Sequence, residues 1–183
     1  MKRAFDLGVC LVLALPVAVV VWLCSVAIRL DSPGPVFFRQ TRVGRGGAPF
    51  EILKLRSMVQ DAAQKGGFAT QAGDARITRV GRVLRKTSLD ELPQLWNVLR
   101  GEMSLVGPRP DVPAQRDLYT DAEFALRHSV RPGITGLAQA SGRSSLTVEA
   151  RRALDLEYAR TASLSLDLRI LWRTLTRLFS NTT

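Results

Sequence analysis

The sequence has almost no histidine and very little cysteine, and both shortages limit its chemistry. His128 is the only histidine, and the two cysteines, Cys10 and Cys24, both lie in the first apolar stretch. A zinc centre of histidine and cysteine, a histidine general base and a disulfide framework are therefore all disfavoured. The sequence also has no P-loop and no GxGxxG pattern, so a nucleotide would have to be held in another way.

Acidic residues are scarce too. The 183 residues include 26 Lys and Arg against 16 Asp and Glu, which gives a net charge of +10. A chain this basic is expected to bind polyanions, namely nucleic acid, anionic lipid or phosphorylated small molecules. Hydrophobic residues make up 46% of the chain, enough for the packed core of one domain.

The first apolar stretch contains no charge from Leu7 to Ile28. A straight helix of 22 residues would be about 33 Å long, which suffices to cross a hydrocarbon core of about 30 Å. Three interpretations are open. A cleaved signal peptide is favoured by Lys2 and Arg3, but the apolar run is too long for one and Asp6 is out of place.

A spanning helix and a re-entrant helix are the other two interpretations. Basic residues flank both ends of the run, so neither spanning orientation satisfies the preference of positive charge for the cytoplasmic side. Pro16 lies near the middle, where it kinks or breaks a helix. We therefore expect residues 1–30 to form a re-entrant membrane helix broken at Pro16, followed by a compact cytosolic domain over residues 31–183. A proline-kinked spanning helix remains the alternative.

The cytosolic part is predicted to be an α-rich α+β domain. VFFRQTRV and PFEILKLRSM flank a GRGGA turn, which predicts a short β-hairpin. Residues 88–100 repeat leucine at helical spacing and predict an amphipathic helix with Pro93 in its first turns. The C-terminal LSLDLRILWRTLTRLF has an apolar face and an arginine stripe. That pattern fits an amphipathic helix lying in the membrane interface, or equally a surface helix packed on the core.

Two adjacent acids, Asp90 and Glu91, stand out in this basic chain. Ser88 and Glu91 match a capping box, which is the ordinary structural explanation for Glu91. We expect the helix start to lower the pKa of Asp90 and keep it ionised. An ionised aspartate can attack phosphorus or bind Mg²⁺.

Several cations beside glycine or proline turns could bind phosphate, because the planar guanidinium suits bidentate contacts. Each one alone is more simply a solvated surface residue. Together with a carboxylate nucleophile and a divalent metal, they make up what phosphoryl transfer requires. The cations are Lys54, Arg56, Arg79, Arg82, Arg85, Arg109, Arg131 and Arg143.

Over nearly its whole length the sequence resembles the bacterial sugar transferases that act as small monotopic polyprenyl-phosphate phosphoglycosyl transferases. The central block is long and specific. The stretches that carry the resemblance are KRAFD (2–6), PGPVFFRQTRVG (33–44), KLRSM (54–58), TRVGRVLRKTSLDELPQLWNVLRGEMSLVGPRP (78–110), RPGITGLAQASGR (131–143) and LDLEYARTASLSLDLRIL (154–171).

The resemblance implies transfer of a sugar-1-phosphate from a UDP-sugar to undecaprenyl phosphate with release of UMP, as a first membrane step of polysaccharide biosynthesis. It implies that Asp90 forms a covalent phosphosugar intermediate and that Glu91 assists the metal or the proton balance. With Mg²⁺ as cofactor, Asp90 and Glu91 are the expected metal ligands. Substrate contacts are expected from Lys54, Arg85, Arg109, Arg131, Arg143, Asp155 and Asp167.

The resemblance also places the protein at the bacterial cytoplasmic membrane, with the catalytic domain on the cytoplasmic face and in contact with lipid. A homodimer is one arrangement left open. Leu15 precedes Pro16 where relatives commonly have serine, which leaves the geometry of the membrane break open. The competing function is a non-catalytic membrane scaffold of a polysaccharide assembly. Nucleic-acid binding is disfavoured because the aromatic residues are not interleaved with the arginines.

Overall fold

A computed structural model of the chain describes residues 1–62, 73–142 and 146–180. It confirms a helix-rich protein with a long apolar N-terminal helix and a short antiparallel hairpin. The helices are α1 (Lys2–Asp31), α2 (Arg79–Thr87), α3 (Gln94–Arg100), α4 (Asp121–Arg127), α5 (Leu137–Ser141), α6 (Val148–Thr161) and α7 (Leu164–Ser180). The strands are β1 (Phe37–Val43), β2 (Pro49–Leu55), β3 (Ser104–Val106) and β4 (Gly133–Thr135). Short 3-10 turns lie at Arg45–Gly47, Leu89–Glu91 and Pro113–Leu118.

Helix α1 runs through Pro16 as one α-helix of 30 residues. The expected break is thus not seen as an interruption of the helix, and the re-entrant path remains a prediction. By length and composition α1 is able to cross a membrane. Its middle is exposed and apolar, with Val12 and Leu15 exposed by 78% and 76%. An exposed apolar surface of this length suggests membrane association.

The chain forms two compact units. The first consists of Met1–Cys10, Gln40–Ile52 and Leu95–Thr183, and the second of Leu11–Arg39 and Leu53–Gln94. These units do not coincide with the expected division at residue 30, which separates a membrane segment from a catalytic domain and remains a prediction.

The first unit contains a hydrophobic core and a parallel pair of strands, β3 and β4, that the sequence did not predict. Strand β3 pairs with β4, with Ser104 opposite Gly133 and Val106 opposite Thr135. A Cβ on Gly133 would lie 2.0 Å from the backbone nitrogen of Gly107, so only glycine allows this close approach. The buried core residues are Cys10, Phe50, Ile52, Val98, Met103, Leu105, Val106, Leu137, Ala140, Tyr158 and Ile170.

The charged start of α1 belongs to this first unit. Asp6 is 2% exposed and accepts a hydrogen bond of 2.9 Å from the Ser104 hydroxyl. Arg3 donates to the carbonyl oxygens of Val98 and Leu99 at the end of α3. These contacts satisfy polar groups that would otherwise be costly to bury.

The second unit has a smaller apolar cluster of Ile28, Val36, Leu55 and Leu84. Next to it, the buried Arg56 donates to the carbonyl oxygens of Ser32 and Pro33, which holds the turn after α1. One of the cations considered as a phosphate binder therefore has a structural role.

Two helices differ from expectation in ways that matter for function. Residues 88–100 are not one helix, because Leu89–Glu91 form a 3-10 turn and α3 begins only after Pro93, which has no N–H to donate to a preceding helical turn. In α7, Asp167 and Ile170 face the core, whereas Trp172 and Leu175 are exposed by 69% and 50%. The apolar face of α7 is thus only partly packed: Leu171 contacts the core, whereas Trp172 and Leu175 stay exposed, and that exposed part favours the interfacial interpretation.

Candidate active site

The acidic pair lies on a single 3-10 turn, Leu89–Glu91, directly after α2. Ser88 joins the two elements in the left-handed region, with φ 59° and ψ 19°. It is the one non-glycine residue with a positive φ in the described part of the chain. Such a conformation is uncommon for serine, and it turns the chain sharply just before Asp90.

The expected capping box does not form. The Ser88 side chain caps nothing in this turn, and the Glu91 carboxylate instead accepts a hydrogen bond of 2.7 Å from Nζ of Lys54. A left-handed Ser88 does not have the extended backbone that an N-cap requires. Lys54 comes from strand β2, so a residue 37 positions away provides the partner.

Asp90 is buried, with an exposed fraction of 8%. Burial raises the pKa of its carboxyl group above the ordinary value, and the neighbouring Glu91 carboxylate raises it further; Lys54 and Arg85 act in the opposite direction. The expected lowering is therefore wrong. A single 3-10 turn provides little helix dipole, and the desolvation of the carboxylate outweighs the cations.

Arg85 lies in the last turn of α2 and is half-buried. Its charge acts on Asp90 in the same direction as that of Lys54. The second unit thus brings together four of the predicted site residues, namely Asp90, Glu91, Lys54 and Arg85. Two carboxylates and two cations in a partly buried setting can attack, bind or stabilise a phosphate group.

The first unit contains the remaining described candidates. Arg109 is the only exposed residue between Met103 and Asp111. Nε of Arg131 donates to the Gly101 carbonyl oxygen at 2.8 Å, which uses part of its guanidinium for a structural contact. Arg143 lies outside the described residues, and its predicted role stays a prediction.

Asp155 and Asp167 are buried side chains with exposed fractions of 2% and 1%. Asp155 pairs with Arg127 at 2.8 Å, and Asp167 accepts hydrogen bonds from Lys2 and Tyr158. Both carboxylates therefore have interior partners. Contact of either acid with substrate is still a prediction, and the arrangement favours a supporting role for both.

Sequence reasoning missed the partners of these acids, above all Lys2 and Arg127. A recognisable signal was available, because a buried acid in so basic a chain needs a cation or several donors. Nothing in the local sequence, however, indicates which of the 26 Lys and Arg residues provides it.

A divalent cation is compatible with the acidic pair. No cluster of three or more His, Cys, Asp or Glu able to hold a metal occurs within residues 1–62, 73–142 and 146–180. Mg²⁺ does not need such a cage, because it is commonly held by one or two carboxylates together with water and substrate phosphates. The donor set of Asp90 and Glu91 fits that mode.

A partly buried carboxylate pair beside two cations fits an enzyme that transfers phosphate-linked groups, and a long exposed apolar helix suggests membrane association. A family model described as bacterial sugar transferase matches residues 1–181. The chain therefore belongs to the bacterial sugar transferase family.

Curated proteins similar to this chain have names that fit this family. The chain is 50% identical over 188 residues to a UDP-glucose:undecaprenyl-phosphate glucose-1-phosphate transferase of Caulobacter vibrioides, covering 98% of this chain and 70% of that protein. It is 44% identical to an exopolysaccharide production protein of Rhizobium leguminosarum, with coverage of 95% and 92%. It is also 44% identical to a UDP-N-acetylgalactosamine-undecaprenyl-phosphate N-acetylgalactosaminephosphotransferase of Aeromonas hydrophila, covering 95% of this chain but 42% of that longer protein.

Proposed function

We propose that the protein transfers a sugar-1-phosphate from a UDP-sugar to undecaprenyl phosphate, with UMP as the second product. The observation that carries this proposal is the Asp90, Glu91, Lys54 and Arg85 cluster in a chain whose relatives bear names for that reaction. Those names include two different sugars, so the donor sugar is best tested with a panel.

In the first half-reaction a carboxylate oxygen of Asp90 attacks the phosphorus that bears the sugar. A bond forms between that oxygen and phosphorus while the bond from phosphorus to the UMP oxygen breaks, and UMP leaves with the electron pair. Lys54 and Arg85 lower the pKa of the buried Asp90, and this keeps more of it in the reactive ionised form. No proton has to move in this step.

In the second half-reaction an oxygen of undecaprenyl phosphate attacks the same phosphorus. The bond to Asp90 breaks, the carboxylate is regenerated, and the product is an undecaprenyl diphosphate sugar. Burial of Asp90 excludes water, which would otherwise hydrolyse the intermediate.

Asp90 and Glu91 would hold Mg²⁺. The metal, when bound, neutralises charge that develops on the phosphate oxygens. Glu91 is oriented for this role by its hydrogen bond from Lys54.

We propose that α1 follows a re-entrant path, with both of its ends and the catalytic residues on the cytoplasmic face. Basic residues flank both ends of its apolar run, and positive charge favours the cytoplasmic side of a membrane. A spanning helix would satisfy that preference at one end only, which supports the re-entrant path over the spanning one.

Cysteine labelling tests that path. Cys10 and Cys24 are first replaced by serine, and Ala4→Cys and Leu30→Cys are then labelled separately in sealed inverted vesicles with a membrane-impermeant reagent. Labelling of both reporters from the cytoplasmic side is expected. Labelling from opposite sides would refute the re-entrant path in favour of a spanning helix.

Intact-mass analysis tests the chemistry. Purified protein with Mg²⁺ and each of several UDP-sugars, without lipid, should gain the mass of a phosphosugar and release UMP. Asp90→Asn should show neither event, whereas Asp117→Asn, an exposed acid in the other unit, should behave as the wild type does. An undiminished adduct on Asp90→Asn would refute the assigned nucleophile. No adduct, no UMP and no lipid product with any donor would refute the enzyme in favour of a scaffold.

A further inference from the structure

The Pro108–Arg109–Pro110 segment is held by its backbone in an unusual way. Four consecutive carbonyl oxygens each accept a hydrogen bond from a different residue of the same unit. The Pro108 oxygen accepts from Gly133 N, the Arg109 oxygen from Arg127 Nη2, the Pro110 oxygen from Arg42 Nη1, and the Asp111 oxygen from Val43 N, at 2.9, 2.7, 2.9 and 2.9 Å.

The two prolines stiffen the same segment, because their rings fix φ and restrict the residue before them. Residues on both sides of Arg109 are buried, and Arg109 alone is exposed. The fold therefore presents one guanidinium group on a backbone that cannot easily move.

Arg127 is the donor in this set whose own position requires explanation. It is 4% exposed, and its guanidinium is shared among three acceptors. Nη1 pairs with the Asp111 carboxylate, whereas Nη2 bonds both Asp155 at 2.8 Å and the Arg109 carbonyl oxygen at 2.7 Å. The centroid of the Tyr119 ring lies 5.4 Å from the guanidinium carbon of Arg127.

A buried ion pair of this kind is weak as a source of stability, because the desolvation of the charges offsets their attraction. Apolar clusters of the same volume often stabilise a folded unit at least as well as a buried ion pair. The guanidinium instead fixes local geometry, because its planar fork holds two carboxylates and one carbonyl oxygen in place relative to each other.

We infer that Arg127, held by Asp111 and Asp155, is a positioning residue that fixes the Arg109 backbone so that the Arg109 side chain can contact a substrate phosphate. This inference rests on the proposed function for the phosphate contact. It also gives Asp155 a defined role, which is to orient Arg127 rather than to bind substrate.

The test combines a kinetic cycle with a measurement that needs no activity. Arg127→Lys keeps the positive charge, but one ammonium group cannot span all three acceptors. It should lower kcat/KM for the UDP-sugar by about 10- to 100-fold, the scale of a misplaced binding group. In an Arg109→Ala background the same change should have almost no further effect, because the group being positioned is gone.

Arg3→Lys is the matched control. Arg3 also donates to two backbone carbonyl oxygens of this unit, but at the end of α3 and not at Arg109. Any effect of Arg3→Lys on kcat/KM should be the same with and without Arg109→Ala. If Arg127→Lys behaves in that additive way, or leaves kcat/KM unchanged, its role is merely structural and the inference is wrong.

Nitrogen relaxation of the Arg109 amide is the second measurement. Its order parameter should fall from about 0.85 toward about 0.6 in Arg127→Lys and stay rigid in Arg3→Lys. An unchanged value would overturn the inference. If the wild type transfers no sugar phosphate at all, the proposed function fails, and this measurement alone decides the positioning role. Should Arg127→Lys not fold, Asp155→Asn, which removes one of the two charges that orient Arg127, is carried through both measurements with a smaller effect expected.

Discussion

Replacing Lys54 by methionine should move the acidic limb of the pH–rate profile to higher pH. Lys54 lies 2.7 Å from Glu91, and its charge lowers the pKa of Asp90. Without it, the opposing effects of burial and of Glu91 are less compensated, so the pKa of Asp90 rises. Because the ionised form attacks, kcat/KM then begins to fall at a higher pH than in the wild type.

The reverse shift is expected for Glu91→Gln. The Glu91 carboxylate raises the pKa of Asp90, so its removal should lower that pKa and move the acidic limb to lower pH. The two acids titrate as a pair, and the direction of the shift is therefore more informative than its assignment to one residue.

The Lys54 substitution should also destabilise the protein modestly. Lys54 and Glu91 are 14% and 19% exposed, so methionine leaves a mostly buried carboxylate without its hydrogen-bond donor. Hydrogen bonds to charged groups contribute about 1.5–3 kcal/mol, and the residual exposure favours the lower end, about 1.5 kcal/mol. That corresponds to a decrease in Tm of about 3–6 °C for a chain of this length.

The assays are kcat/KM from pH 5 to 9 at saturating Mg²⁺ and thermal unfolding at pH 7.5. Lys86→Met is the control, because Lys86 is an exposed lysine at the end of α2 and should change neither quantity. If the acidic limb of Lys54→Met stays in place or moves to lower pH, the electrostatic account of Asp90 is wrong.

Three further predictions concern stability and membrane binding. Burial lowers the pKa of His128 below 6.5, so as pH falls the unfolded chain takes up the proton before the folded protein does. The stability that neutral His128 contributes is therefore full above about pH 6.5 and is lost as pH falls toward the folded pKa. Urea unfolding of His128→Asn should show a smaller loss of stability between about pH 7 and 5.5 than the wild type shows. Gly133→Ala places a Cβ 2.0 Å from the Gly107 nitrogen and should lower the free energy of unfolding by about 3 kcal/mol or more. Gly8→Ala is the control and should not destabilise the protein, because Gly8 lies in open space within α1. Equal free energies of unfolding for the two variants would contradict this packing. Trp172→Ser should weaken the binding of the detergent-purified protein to vesicles without lowering Tm, because the Trp172 side chain is 69% exposed. A lower Tm with unchanged vesicle binding would instead indicate that Trp172 packs on the core.

Local sequence determined the elements whose causes are local. The uncharged run from Leu7 to Ile28 specifies a long apolar helix, and the GRGGA turn between apolar segments specifies the β1–β2 hairpin. The sequence also identified Asp90 and Glu91 as the candidate catalytic acids, because both lie in the long central stretch that carries the family resemblance.

Tertiary structure decided the partners and the environment of those residues. Glu91 takes its donor from Lys54 on β2 rather than from Ser88, and burial raises the pKa of Asp90 where the helix start alone would lower it. The parallel pairing of β3 with β4 likewise depends on a close approach of distant glycines.

The physical reason is the difference between short-range and long-range terms. Backbone propensity and hydrophobic periodicity act over a few residues, so they can be read directly from the chain. Desolvation and ion pairing depend on which groups the fold brings within a few ångströms. For Arg127 those groups are Arg109, Asp111 and Asp155, the last of them 28 positions away, and only the folded unit brings them together.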